Sequence, residues 1–140
     1  MEKEKSKKEK GTDDGKITFF TQLEVWKMGH KTVLDVYLIT KKFPKEEIFG
    51  ITSQMRRCAV SITSNISEGF GRFSYKEKIQ FYAIARGSIT ELQNQLLISK
   101  DIGYISKSEF ERIAKKTVDT HKMLQGLIKS SQKRIQGIGN

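Results

Sequence analysis

The sequence predicts an all-α chain folded as an antiparallel up-and-down four-helix bundle, on three observations. Apolar residues recur at helical spacing in four successive stretches, and no run of strand-like alternation interrupts them. Start and stop signals bracket the stretches. Thr21 with Glu24, Ser74 with Glu77 and Ser106 with Glu109 each fit the S/T-x-x-E capping box, while Gly69, Gly71 and Gly103 suit helix C-termini. The links are only a few residues long, which sets consecutive helices in opposite directions.

A chain of 140 residues is one domain's worth. Residues 1–18 read as a disordered charged tail, 19–135 as the bundle and 136–140 as a flexible C-terminus. The opening MEKEKSKKEKGTDDGK has no large apolar group, so burial cannot offset the entropy of ordering it. Its six lysines nearly cancel against five acids, so almost all of the +10 net charge belongs to the body, where 20 Lys or Arg face 11 acids. Such a surplus suits RNA or DNA as a partner. The lone Cys58 cannot form an internal disulfide. No stretch has the length and apolarity of a membrane span or of a signal peptide's core, so a cytoplasmic chain without membrane contact is expected.

The helices are expected near 22–42, 46–69, 74–101 and 106–134. Leu23, Trp26, Val33, Leu34 and Tyr37 share one face of the first, with Val25, Val36 and Ile39 on a second. Pro44, Glu46 and Glu47 suit the first turn of the second helix, whose core stripe is Ile48, Ile51, Met55, Cys58, Ile62 and Ile66. Phe81, Tyr82, Ala85, Ile89, Leu92 and Leu96 line the third, with Ile79, Ala83 and Leu97 on another side. Phe110, Ile113, Leu124 and Ile128 make a narrower stripe on the fourth. From Ile51 to Gly69 the second helix has three charges, Arg56, Arg57 and Glu68, and its far face is Ser53, Val60, Thr63, Ser64 and Ser67. So little charge on an outer face predicts burial against another copy of the chain.

Beside that core stripe runs a polar strip, Gln54, Arg57, Ser61, Asn65 and Glu68, and the third helix offers Ser88, Glu91 and Gln95. Paired across the interface, these residues form a structural network fixing register; left open, they form a ligand or phosphate pocket. Cys58 in its apolar stripe reads as a small hydrophobe, and His30 and His121, also in stripes, read as core residues. Glu-x-x-His metal motifs and phosphate-binding glycine loops are absent, so neither a metal nor another cofactor is expected. The basic surface carries more. Arg112, Lys115, Lys116, Lys122, Lys129 and Lys133 lie opposite the fourth helix's apolar stripe, and Arg72, Lys76 and Lys78 cluster at the turn before the third. These cations are the candidate nucleic-acid-binding residues, through phosphate contacts without base readout. A solvated helix face explains the same lysines. An aromatic platform on which single strands could stack is not evident.

The segment QMRRCAVSITSNISEGFGR, Gln54 to Arg72, with FPKEEIFGITS before it and GSITELQNQLLISKDIGYIS after it, resembles the 23S rRNA intervening-sequence protein family. The likeness runs from about Leu23 to Leu127. It implies small antiparallel bundles that assemble as homopentamers, some encoded inside intervening sequences of large-subunit ribosomal RNA genes. The family is similar to the accessory variability protein of diversity-generating retroelements, a basic pentamer that associates with a reverse transcriptase and nucleic acid. No enzymatic activity attaches to the pattern. Its recurring polar residues fall on Arg57, Ser61, Asn65, Glu68, Ser88 and Glu91, read as structural. The lysine-rich tail before Ile17 lies outside the pattern, and Cys58 stands where alanine is usual. The resulting expectation is a non-enzymatic, oligomeric, basic scaffold for RNA or DNA, accessory to a reverse transcriptase. The alternative is a protein-interaction and assembly module that binds no nucleic acid. An enzyme using the Arg57–Glu68 and Ser88–Glu91 strip is a distant third.

Overall fold

Four helices carry the chain: α1 Glu24–Thr40, α2 Ile51–Phe70, α3 Tyr75–Asp101 and α4 Lys107–Ile135, with 3-10 turns at Phe20–Gln22 and Lys45–Glu47. The computed structural model describes residues 16–137. The tail expected to be disordered lies outside them except for its last three residues, and of the flexible C-terminus only Gln136 and Gly137 fall inside. Among the described residues there is no strand.

Each helix packs on its sequence neighbours, and α1 closes the bundle against α4. Between α1 and α2, Arg56 Nε donates to Thr40 Oγ1, and Gly29 lies beside Thr63. Between α2 and α3, Ser61 meets Ser88 and Met55 meets Ser99. Gln93 meets Thr117 between α3 and α4, while Lys42, just past α1, reaches Glu109 on α4, and Asp35 reaches Lys116. In the three pairs that give two contacts each, α1–α2, α2–α3 and α1–α4, the numbers rise along one helix as they fall along the other.

The helix starts separate two of the expected caps from a third. Ser106 Oγ accepts the Glu109 N–H and Glu109 returns the bond to the Ser106 N–H, a complete capping box at α4. The Glu109 carboxyl is held below the usual range, first by that backbone bond and then by Lys42. Ser74 accepts the Glu77 N–H at α3. Thr21 caps nothing. It sits inside the first 3-10 turn, where Gln22 Oε1 takes the N–H groups of Thr18 and Phe19, and α1 begins after an extended Leu23.

The second helix begins later than expected, at Ile51 rather than 46. The segment after Pro44 winds into its own 3-10 turn, and Gly50 at φ −108°, ψ −122° breaks it from α2. Glu47 nevertheless serves α2 from outside, its Oε1 accepting the Ile51 N–H while Oε2 takes the Tyr104 hydroxyl at 2.7 Å. Of the three glycines read as stops, only Gly103 has a left-handed backbone, φ 88°. Gly71 is right-handed, and Gly69 is helical.

The core holds Val36, Met55, Ile62, Ile66, Ile89, Leu92, Leu96, Ile113 and Leu124, all fully enclosed. Burying each large aliphatic group contributes about 1.5–3 kcal/mol. On α4, the narrow stripe is widened by Thr117 and Thr120, whose hydroxyls bond to the carbonyls of Ala114 and Lys116 in their own helix. On α1, the inward face is Val25, Val33, Val36 and Ile39, so Leu34 and Tyr37, expected in the core, face out with Leu38. Ile48 is likewise exposed, because it lies in the turn before α2 and not on its inner stripe.

Gly69 is buried because a Cβ there would stand 2.7 Å from Tyr82 Cε1 and 3.1 Å from Phe81 Cβ. Gly69→Ala is expected to lower stability by about 1–3 kcal/mol through overpacking, although alanine is the better helix former. Gly87, with nothing near its would-be Cβ, gives the opposite sign. Gly87→Ala should gain about 0.5–1 kcal/mol. Urea unfolding of both variants checks the pair, and equal effects would refute this account of Gly69.

Candidate nucleic-acid interface and the neighbouring polar cleft

The cations of α4 divide according to which way the helix turns them. Lys122, Lys129 and Lys133 point away from the core and form no ion pair among the described residues. Lys115 is paired with Asp119 at 3.2 Å, one turn along. Arg112 and Lys116 lie toward α1, where Asp35 takes both, at 3.2 Å through Oδ1 and 2.6 Å through Oδ2. The Asp35 side chain is only 14% exposed, so this bridge is a tie between the first and last helices.

The second cluster divides the same way. Lys78 Nζ donates to the carbonyl oxygens of Phe70, at 2.7 Å, and Gly69, satisfying the end of α2. A cation is favoured there by the helix dipole, although burial lowers the Lys78 pKa. Arg72 pairs with Glu68 at 2.9 Å and lies over the Phe81 ring. Lys76 is exposed and unpaired among the described residues. Of the nine expected phosphate-binding cations, Lys76, Lys122, Lys129 and Lys133 therefore have no protein partner among the described residues.

The polar strip closes at its centre and opens at its ends. Ser61 Oγ and Ser88 Oγ meet at 2.9 Å, and Asn65 Nδ2 donates to the Ser61 carbonyl and hydroxyl. Cys58 donates its thiol hydrogen to the Ser88 carbonyl. Burial, and then the nearby Glu91 carboxylate, push that thiol up to about 12, so it is neutral and weakly nucleophilic at pH 7. Glu68 turns away to Arg72 instead of crossing to α3. Arg57 has no partner among the described residues and faces Glu91 across an open hollow of about 290 Å³, walled also by Gln54, Cys58, Ser61 and Ser88. Deeper in, Gln95 donates to Glu91 at 3.5 Å while its own Oε1 has no partner among the described residues.

Four rings the sequence did not bring together form a continuous group. Phe19 stacks on Phe20 at 5.0 Å, Phe20 meets Trp26 edge-on at 5.5 Å, and Trp26 stacks on His30 at 4.7 Å and 13°. His30 is exposed, contrary to its reading as a core histidine, and His121 is half-buried. The helical face that carries Trp26 turns partly outward, which is why the group was missed. The i, i+4 spacing of Trp26 and His30 was the available signal.

The sequence profile of the 23S rRNA-intervening sequence protein family matches residues 21–126, three quarters of the chain. The chain belongs to this family. A protein of unknown function from the S23 ribosomal protein family of Bacteroides thetaiotaomicron has a similar structure, with TM-score 0.70 at 23% identity, over 75% of this chain and 98% of that one. No curated protein matches the chain. Within this intervening-sequence family member, the matched segment holds Lys76, Lys122 and the polar strip. Lys129 and Lys133 lie beyond it. Among the described residues no cluster of His, Cys, Asp or Glu could hold a metal ion, and no helix is long and apolar enough to cross a membrane.

Asp35→Asn separates the two uses of the α4 cations. Removing the carboxylate should cost about 1.5–3 kcal/mol, because Asp35 is only 14% exposed and its bond to Lys116 is charge-assisted. It should also free Arg112 and Lys116, raising affinity for a mixed-sequence RNA about 3–10-fold at low salt. Fluorescence anisotropy of a labelled RNA checks this, and an unchanged affinity would remove these two cations from the interface.

Proposed function

We propose that this protein is a non-enzymatic basic scaffold, an up-and-down bundle that assembles as a homopentamer and binds RNA or DNA through phosphate contacts. The observation that carries the proposal is the outward row Lys122, Lys129 and Lys133, which no carboxylate neutralises among the described residues. Lysines at that spacing on one helix face present point charges along a line. That suits a polyanion's backbone and reads no sequence. Arg72, Lys78, Arg112, Lys115 and Lys116 contribute to the field while their hydrogen bonds go mainly to the protein. The resemblance to retroelement accessory proteins adds a reverse transcriptase as the protein partner of this scaffold.

Assembly is supported by the outer surface of α1 and α2. Leu34, Tyr37, Leu38 and Val60 are exposed there, beside a groove of about 510 Å³ lined by Tyr37, Ile48, Thr52, Arg56 and Val60. An apolar patch of this kind on a small domain marks a protein contact. In this proposal Ser61, Asn65 and Ser88 lock the register of α2 on α3. Arg57 and Glu91 form the open edge of that lock, while Glu68 pairs with Arg72 beside it.

Light scattering with and without a structured RNA, at about 50 and 200 mM salt, tests both halves. A pentamer that binds four phosphates per contact loses roughly a hundred-fold in affinity across that range. Charge reversal at Lys122, Lys129 and Lys133 should abolish most of the slope without changing the mass. A pentamer indifferent to RNA at low salt would favour the assembly-module alternative, and a monomer would refute the reading of the α1–α2 surface.

A further inference from the structure

We infer that the ring group at the start of α1 is a binding site for unpaired nucleotides, with bases stacking beside Trp26 and His30 and phosphates meeting Lys27 and Lys31. The inference rests on the nucleic-acid reading above and adds a second contact on a different helix. On α1, Trp26 and His30 are one turn apart on one side, and Lys27 and Lys31 are one turn apart on the adjoining side. Between them lies a hollow of about 280 Å³, lined by all four together with Glu24 and Met28.

The geometry favours a flat occupant. Trp26 and His30 are nearly parallel, 13° apart at 4.7 Å, so the exposed His30 ring extends a stack rather than capping it. At the far end Phe19, 55% exposed and stacked on Phe20, offers a second open face. Every base has a π-face, so the open faces of His30 and Phe19, at the outer ends of two stacked pairs set edge-on to each other, accept unpaired bases without sequence preference. A duplex keeps its bases inside the helix and cannot use them.

The charges select the same ligand. Lys31 has no ion pair among the described residues, and Lys27 holds Glu24 at 3.3 Å with both side chains largely in water. A pair of that kind is weak and yields readily to a phosphate. A nucleotide brings both a ring and an anion.

Trp26 is the only tryptophan in the chain, so intrinsic fluorescence reports on this site alone. The full-length protein is titrated at about 50 mM salt with a labelled, unstructured single strand of about twelve nucleotides, as RNA and as DNA, and with a duplex of the same length. Label anisotropy follows binding while Trp26 emission follows stacking. The inference expects both single strands to bind and quench Trp26, and the duplex to bind without quenching. His30→Ala should weaken single-strand binding about ten-fold and leave duplex binding unchanged. Lys27→Gln with Lys31→Gln should weaken the single strand and flatten its salt dependence. Single strands that bind without altering Trp26 would overturn the stacking site while leaving the α4 lysines in place. Absence of binding by any of these nucleic acids would overturn both readings. Trp26 emission that changes with protein concentration alone would assign the rings to a subunit contact.

Discussion

Tyr82 lies against the bare α-carbon of Gly69, and about two turns back along α2 the hydroxyls of Ser61 and Ser88 meet at 2.9 Å. Both contacts require α2 and α3 to approach closely, and both use small groups to permit it. With that spacing fixed, Met55, Ile62 and Ile66 face Ile89, Leu92 and Leu96 in one enclosed layer. The outer helices then close over the layer, α1 through Val25, Val33, Val36 and Ile39, and α4 through Ile113, Leu124 and Ile128. A bulkier residue at any of these small positions would separate the two central helices and loosen the layer on both sides.

Much of this was legible in the residues. Ile48 apart, the main apolar stripes of α2, α3 and α4 fell in or against the observed core, and two capping signatures marked α3 and α4 because serine and glutamate can satisfy end groups without tertiary help. The failures have common physical causes. Thr21 matched a cap in spacing, yet it lies inside a 3-10 turn at Phe20–Gln22 whose start Gln22 closes through the Thr18 and Phe19 N–H groups, and α1 begins only after Leu23. Helix α1 had two apolar faces, and periodicity alone could not say which one its neighbours would cover. The start of α2 shifted because a proline-initiated 3-10 turn can hold acidic residues near a helix end without belonging to it.

The candidate site was legible in composition and not in pairing. Nine cations could be named from the sequence, but a sequence does not show that Asp35, far away in number, lies between Arg112 and Lys116. Nor does it show that Lys78 bonds the last carbonyls of α2. Electrostatics thus serves two purposes in one surface. Some lysines and arginines hold helices together, and the rest remain as an uncompensated field. The rings from Phe19 to His30 were missed for a related reason, since Phe19 and Phe20 come from outside the four α-helices and meet the others only through the fold.

The helices also differ in length, with 17 residues in α1 against 27 in α3 and 29 in α4. At 1.5 Å per residue, α1 spans about 25 Å of a partner about 43 Å long. The shortest helix has the fewest backbone hydrogen bonds to break, so a sub-global opening that releases α1 alone disrupts less of the backbone ladder than the loss of any other helix. Amide exchange in α1 reads such an opening directly. Any partner that rests on this helix draws on a local equilibrium as well as on a surface, and its binding slows that exchange.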